Sequence, residues 1–197
     1  MPKMYPGYRD EVRKKIVAEA SSLFMEKGYS ATTMDDIAAR LGVTKAAIYQ
    51  YYRSKVDLFA AVAEYQRQEL AGMLERSFEG PDMMQGASVL FDSLLDYITR
   101  SIEMYTDVMA AAVHNESIRT ILCEDRYGDL DVIERFIEGQ KTRGLIHSSI
   151  DSRVLAVACD ALIYGLMFDV MIGMDPVEAK RVWLDAVDDL LRVHEQT

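Results

Sequence analysis

The 197-residue chain predicts an all-α protein of about nine helices. Three observations lead there. Apolar residues recur at three- and four-residue steps, no segment sustains the period-2 alternation of a half-buried strand, and Gly and Pro fall between the helical stretches. At 50% hydrophobic residues, the chain can bury one good core, or a core with a small satellite domain.

The elements follow in order. From about residue 9 to 27, Val12, Ile16, Ala20, Leu23 and Phe24 form one helical stripe, and Gly28 is placed to end it. Thr33-Met34-Asp35-Asp36 is a capping box: the threonine hydroxyl accepts from a first-turn amide and Asp36 answers, so a short helix is expected through Leu41, stopped by Gly42. Thr44 is the expected N-cap of another short helix, to about Tyr52. Ser54-Lys55-Val56-Asp57 is a second box. It launches a long helix with the seam Phe59, Val62, Ala63, Gln66, Leu70, Met73, Leu74 and Phe78, closed by Gly80-Pro81. Beyond Pro81, helices are expected near 82–101, 104–113, 117–141, 151–173 and 176–193, with stops at Gly144 and at Gly173 to Pro176.

Bulk properties exclude several classes. The opening MPKMYPGYRDEVRKK has no apolar stretch after its basic residues, so no secretory signal is expected and a cytoplasmic protein is. The apolar run 154–174 approaches membrane-span length. Within it, however, Asp160 and Asp169 would each cost about 2.5 kcal/mol or more at a bilayer centre, so it is expected as a buried helix. Cys123 and Cys159 are too few for a disulfide framework. The histidines His114, His147 and His194 are dispersed, and phosphate-binding loops, nucleophile elbows and zinc motifs are lacking, so no enzyme, metal site or cofactor is expected.

Charge separates along the chain. Of a formal net charge of -10, residues 1–57 carry +3 and residues 58–197 carry -13. A basic head on an acidic body suits a polyanion held at one end only.

That head reads as helix, short helix, glycine turn, short helix and long exit helix. This is the helix-turn-helix, whose second short helix enters the major groove. With Ile48 turned to the core, Thr44 and Tyr52 lie within about 40° of it at about 3.6 residues per turn. Ala46, Gln50 and Arg53 then point away, with Tyr49 on the flank. Gln50 can offer its amide to a base edge, Ala46 allows close approach or touches a thymine methyl, and Lys45 and Tyr49 can reach phosphate or base. Thr33, Thr44 and Lys55 stand at three helix N-termini, where exposed amides favour phosphate.

Over AEASSLFMEKGYS and ATTMDDIAARLGVTKAAIYQYYRSKVDLF, about the first sixty residues, the sequence resembles the tetracycline-repressor (TetR) family of transcriptional regulators. The resemblance implies a helix-turn-helix DNA-binding domain at 1–57 and a helical effector-binding and dimerisation domain at 58–197. It further implies a homodimer on a palindromic double-stranded operator, normally repressing, with a small effector in the body releasing DNA. Carried over by position, Thr33, Thr44, Lys45, Ala46, Tyr49, Gln50, Tyr51 and Lys55 fall on family DNA contacts. Tyr51 departs from a frequent histidine and Tyr52 from a usual phenylalanine, which bears on base preference.

For the body, Leu155, Cys159, Leu162, Leu166 and Val170 form one stripe. Ala179, Val182, Trp183, Ala186, Val187, Leu190 and Leu191 form another. Paired across a dyad, these last two helices would build a four-helix bundle. Phe91, Leu95, Met104, Met109, Val113, Phe136, Tyr164, Met167, Phe168 and Met171 are the expected lining for a small apolar or amphipathic effector, with Asp107, His114, Asp160 and Asp169 as groups that could orient it. The alternative reading is a helical ligand-binding, metal-binding or interaction protein that keeps the fold without reading DNA.

Overall fold

The computed structural model describes residues 7–193, and among them it contains eight α-helices and no strand. They are α1 (Tyr8–Lys27), α2 (Met34–Leu41), α3 (Lys45–Tyr49), α4 (Lys55–Ser77), α5 (Met83–His114), α6 (Glu116–Thr142), α7 (Ser152–Met171) and α8 (Pro176–Leu191). His194 lies outside the described residues.

The ninth helix is absent because the expected pair 82–101 and 104–113 is one 32-residue helix, α5. Nothing between Arg100 and Met104 interrupts a helix: Ser-Ile-Glu carries neither Gly nor Pro. Ser101, Met104, Val108 and Ala112 are moreover all buried, so one helical face packs through the expected break. In the other direction, α3 is shorter than expected and ends at Tyr49, with Gln50 as its C-cap.

The helix starts follow local chemistry. Thr33 and Asp36 make the full capping box, the threonine hydroxyl accepting from the Asp36 amide at 3.1 Å and the carboxylate accepting from the Thr33 amide at 2.8 Å. Ser54 Oγ accepts from the Asp57 amide at 3.0 Å at the head of α4. Asp175 caps α8 through the Val177 amide, with Pro176 in the first turn. Gly42 takes φ 66° and ψ 30°, the left-handed turn that lets the Gly42 and Val43 amides close onto Ala39 O and Ala38 O.

The described residues fold as two compact units, those up to 67 with 100–125 and residues 68–99 with those from 126 onward, neither a single continuous segment. The first is built on Phe24, which meets Tyr29 at 5.4 Å and Phe59 at 6.2 Å between ring centroids, with Leu23, Ile37, Ile48, Leu58 and Val62 fully buried around them. Met104 and Val108 of α5 and Ile118 of α6 complete this core.

The second unit packs α7 and α8 with parts of α4, α5 and α6 around Phe91, Leu155, Met167 and Trp183. Trp183 Nε1 donates to Ala87 O at 3.0 Å, so the indole is buried with its donor satisfied. Leu155, Cys159 and Leu166 on α7, and Ala179, Trp183, Val187 and Leu191 on α8, face this unit's own core. Those stripes therefore serve the fold of the chain first. The opposite face of α7 is apolar and exposed, through Val154, Val157, Phe168 and, just past its end, Ile172.

Candidate nucleic-acid interface

Two buried residues fix α3. Ile48 is 1% exposed and Tyr52, in the turn after the helix, is 4% exposed, so the residues between and before them are forced outward. Ala46, Tyr49 and Gln50 are exposed, as the 3.6-residue period requires, and so are Lys45 and Thr44, the latter as the N-cap ahead of the first turn even though the period alone sets it on the Ile48 side. Thr44 Oγ1 is engaged as the N-cap, accepting from the Ala47 amide at 3.2 Å. Lys45 Nζ meets Asp35 Oδ2 at 2.7 Å across the turn, and this exposed pair raises the lysine pKa. The pair holds the ammonium beside the exposed face of α3 without removing it from solvent.

Thr33 sits exposed at the head of α2 with its hydroxyl committed to Asp36. Hydrogen bonds from the Thr33 side chain and backbone, and then from Lys27, pull the Asp36 carboxyl down to about 2. Tyr51 is half-buried, and its carbonyl accepts from the Arg13 guanidinium at 3.5 Å. Arg13 also lies 4.8 Å over the Tyr52 ring, with Arg9 5.9 Å over Tyr51. These two arginines, one turn apart on α1, add exposed cations next to α3 that the sequence reading did not single out. The signal was available in their four-residue spacing.

Lys55 is placed differently from the others. Its ammonium turns inward and donates to the carbonyls of Tyr29, Ser30 and Thr32 at 2.9, 3.3 and 3.0 Å, and it lies 4.3 Å over the Tyr29 ring. Partial burial lowers its pKa. All three proton donors are used on the chain's own α1–α2 loop. Asp107 of α5 grips the same loop, accepting from the Ser30 amide at 2.5 Å, in the first unit and not among the residues that line the cavity of the second.

The second unit contains a cavity of about 80 Å³ with an almost wholly apolar lining that includes Leu74, Phe78, Leu90, Phe136, Ile163 and Trp183. Of the ten residues expected to bind an effector, Phe136 and Tyr164 line it. Phe91 and Met167 are buried in the core of this unit, Leu95 is half-buried against that core, and Phe168 and Met171 are exposed on α7. Met104, Met109 and Val113 belong to the first unit, the first buried and the other two exposed. Asp160 lines the cavity, whereas His114 and Asp169 are exposed. Among the described residues, no group of three or more His, Cys, Asp or Glu is placed to hold a metal ion.

The family profile described as "Bacterial regulatory proteins, tetR family" matches residues 16–62, which span most of α1, all of α2 and α3 and the start of α4. The chain is 30% identical over 158 residues to the HTH-type transcriptional activator FasR of Mycolicibacterium smegmatis, an alignment covering 73% of this chain and 71% of that one. It is also 30% identical over 101 residues to IcaR, the negative transcriptional regulator of the biofilm operon icaADBC in Staphylococcus epidermidis, covering 51% of this chain and 55% of that one. In three dimensions it is similar to a TetR-family transcriptional regulator from Rhodococcus sp., with a TM-score of 0.77 at 19% identity over 92% of this chain and 99% of that one. The chain belongs to the tetR family of bacterial transcription regulators.

Proposed function

We propose that the protein is a cytoplasmic homodimer that reads a palindromic operator with α3 of each copy, represses from it, and is released when a small apolar or amphipathic effector fills the cavity of the second unit. The observation that carries this reading is the outward set Lys45, Ala46, Tyr49 and Gln50 on a helix locked by Ile48 and Tyr52. Gln50 is the reader of base edges, Ala46 the point of close approach, and Lys45 and Tyr49 the groups that reach phosphate or base. Thr33, Thr44 and Tyr51 beside them are the further phosphate contacts, and Arg9 and Arg13, over the Tyr51 and Tyr52 rings, extend the cationic rim. Lys55 acts by holding the loop that carries α2, since its donors are spent on backbone carbonyls.

One helix-turn-helix makes few base contacts, so a specific site requires two half-sites and a twofold protein. The exposed face of α7 supplies the means: Val154, Val157, Ala161, Gly165 and Phe168 make an apolar and small-residue strip that a second copy would cover. An effector then shifts the population away from the DNA-competent form in proportion to its differential affinity.

The test is retardation of the DNA upstream of the chain's own gene against a scrambled duplex of equal length, with sedimentation giving the oligomeric state. The expected result is binding that falls steeply with salt and discriminates the two duplexes, by a dimer. A monomer that treats both duplexes alike at low ionic strength removes the reading. A reporter fused to the bound promoter gives the sign of regulation.

A further inference from the structure

The cavity of the second unit contains one group that its apolar lining does not require. Asp160 is 4% exposed and its residue lines the cavity, among walls of aliphatic and aromatic carbon. A carboxylate taken out of water is costly unless a cation meets it. Arg126 is that cation: its Nη2 pairs with Asp160 Oδ2, and its guanidinium lies 4.8 Å over the ring of Tyr164, which also lines the cavity.

The two halves of this pair are not equivalent. The Asp160 side chain is 3% exposed and fixed on a core helix, whereas the Arg126 side chain is 41% exposed and reaches in on a long flexible stem. Arg126 Nη1 is buried without a hydrogen-bond partner. The acid therefore belongs to the cavity wall, and the base is a detachable partner whose departure would restore hydration to an incompletely satisfied guanidinium.

Building on the effector reading of this cavity, we propose that its ligand is a small apolar amine, whose protonated nitrogen takes the place of Arg126 against Asp160 and the face of Tyr164. Such a ligand replaces one cation by another at the buried acid while its hydrocarbon displaces nothing polar. An anion would instead approach Asp160 with like charge, and a neutral analogue would gain apolar burial alone. At about 80 Å³ the cavity is roughly half the ~150 Å³ that admits benzene in an engineered protein core, so short alkyl chains are the matching probes.

The readout is built in, because the chain's single tryptophan, Trp183, lines the cavity and reports occupancy without DNA. The intact protein is titrated at neutral pH with n-butylamine, n-butanol and butyrate, following tryptophan emission. The amine is expected to bind at least about tenfold more tightly than the alcohol, a difference of about 1.4 kcal/mol. In Asp160→Asn that preference should disappear. In Arg126→Gln, amine binding should tighten, because its competitor is gone; a purely structural role for Arg126 would not give this sign. Equal affinity of amine and alcohol for the parent, preference for butyrate, no response to any of the three, or weaker amine binding in a folded Arg126→Gln variant each overturns the proposal. The comparison in the parent needs no variant to fold. Retardation of the operator is scored separately, so failure to read DNA and failure to prefer amines are distinct results.

Discussion

The ring of Phe78 packs so close to Gly86 that a β-carbon there would fall 2.2 Å from Cδ1 and 2.6 Å from Cε1 of that ring. Moving the ring away would disturb its packing on Phe136, 4.7 Å away between centroids, and push it toward the cavity that it lines. Alanine at an ordinary helical position would gain about 1 kcal/mol over glycine. Here the overlap outweighs that gain, and Gly86→Ala should destabilise by about 1–3 kcal/mol, lowering the melting temperature by roughly 2–4 °C per kcal/mol. Thermal denaturation checks this, and adding Phe78→Leu to the same variant should recover most of the loss.

Lys55→Met should act on stability before it acts on DNA. Three charge-assisted hydrogen bonds to the Tyr29, Ser30 and Thr32 carbonyls are lost, each worth about 1.5–3 kcal/mol in favourable settings and less where, as here, the site is partly exposed. Denaturant unfolding should show a clear loss. The slope of log affinity against log salt should stay unchanged, whereas a phosphate-contacting lysine would reduce it by about one.

On the outward face of α3 the expectation reverses. Gln50→Ala should leave the unfolding free energy within about 0.5 kcal/mol of the parent. It should cost about 1–3 kcal/mol at the operator and relax preference at one base pair. A panel of single-base operator variants measured against both proteins identifies the position, and an unchanged pattern of preferences takes Gln50 out of the reading face.

Asp125 gives a pH signature. Burial pushes its carboxyl up to about 6 from 3.8, despite Arg67 at 3.8 Å, with Glu64 adding to the rise. The folded protein therefore holds this proton more tightly than the unfolded chain. The stability it lends is complete below about pH 3.8 and is lost as pH rises through about 6. Asp125→Asn should then be more stable than the parent at pH 7.5, with the gap narrowing as pH falls below 6. A gap that widens on acidification would contradict the assignment.

The two cysteines should separate cleanly. Cys159 is buried, and desolvation pushes its thiol up to about 11, while Cys123 is exposed. A soluble thiol reagent at pH 8 should modify one equivalent in the native protein and two after unfolding.

Much of this architecture was legible because it is encoded locally. The Thr33–Asp36 box, the glycine stop at Gly42 and the Asp175-Pro176 start depend on residues within one turn of each other, and each appears where its side-chain chemistry puts it. The outward set on α3 followed from a single anchor, Ile48, and the helical period. What the sequence hid depends on partners far away along the chain. Lys55 carries the composition of a phosphate ligand, and only the position of the Tyr29–Thr32 carbonyls 23 to 26 residues earlier turns it inward. Periodicity marks Met104 and Phe136 alike as buried or half-buried apolar positions, but it cannot tell that they serve different units. The stripe Leu155–Cys159–Leu166 likewise announces a face to be covered without naming what covers it, and α8 of the same chain does so.

The interleaving of the two units also bears on how such a protein can be taken apart. The floor beneath the helix-turn-helix is laid by Met104, Val108, Ala112 and Ile118, which are made some forty or more residues after Phe59 and Val62. A fragment ending at residue 57 would expose that underside to water. An exchange of the N-terminal segment alone would therefore have to bring a matching stretch of α5 and α6 with it, whereas point changes on the exposed residues of α3 leave that shared core untouched.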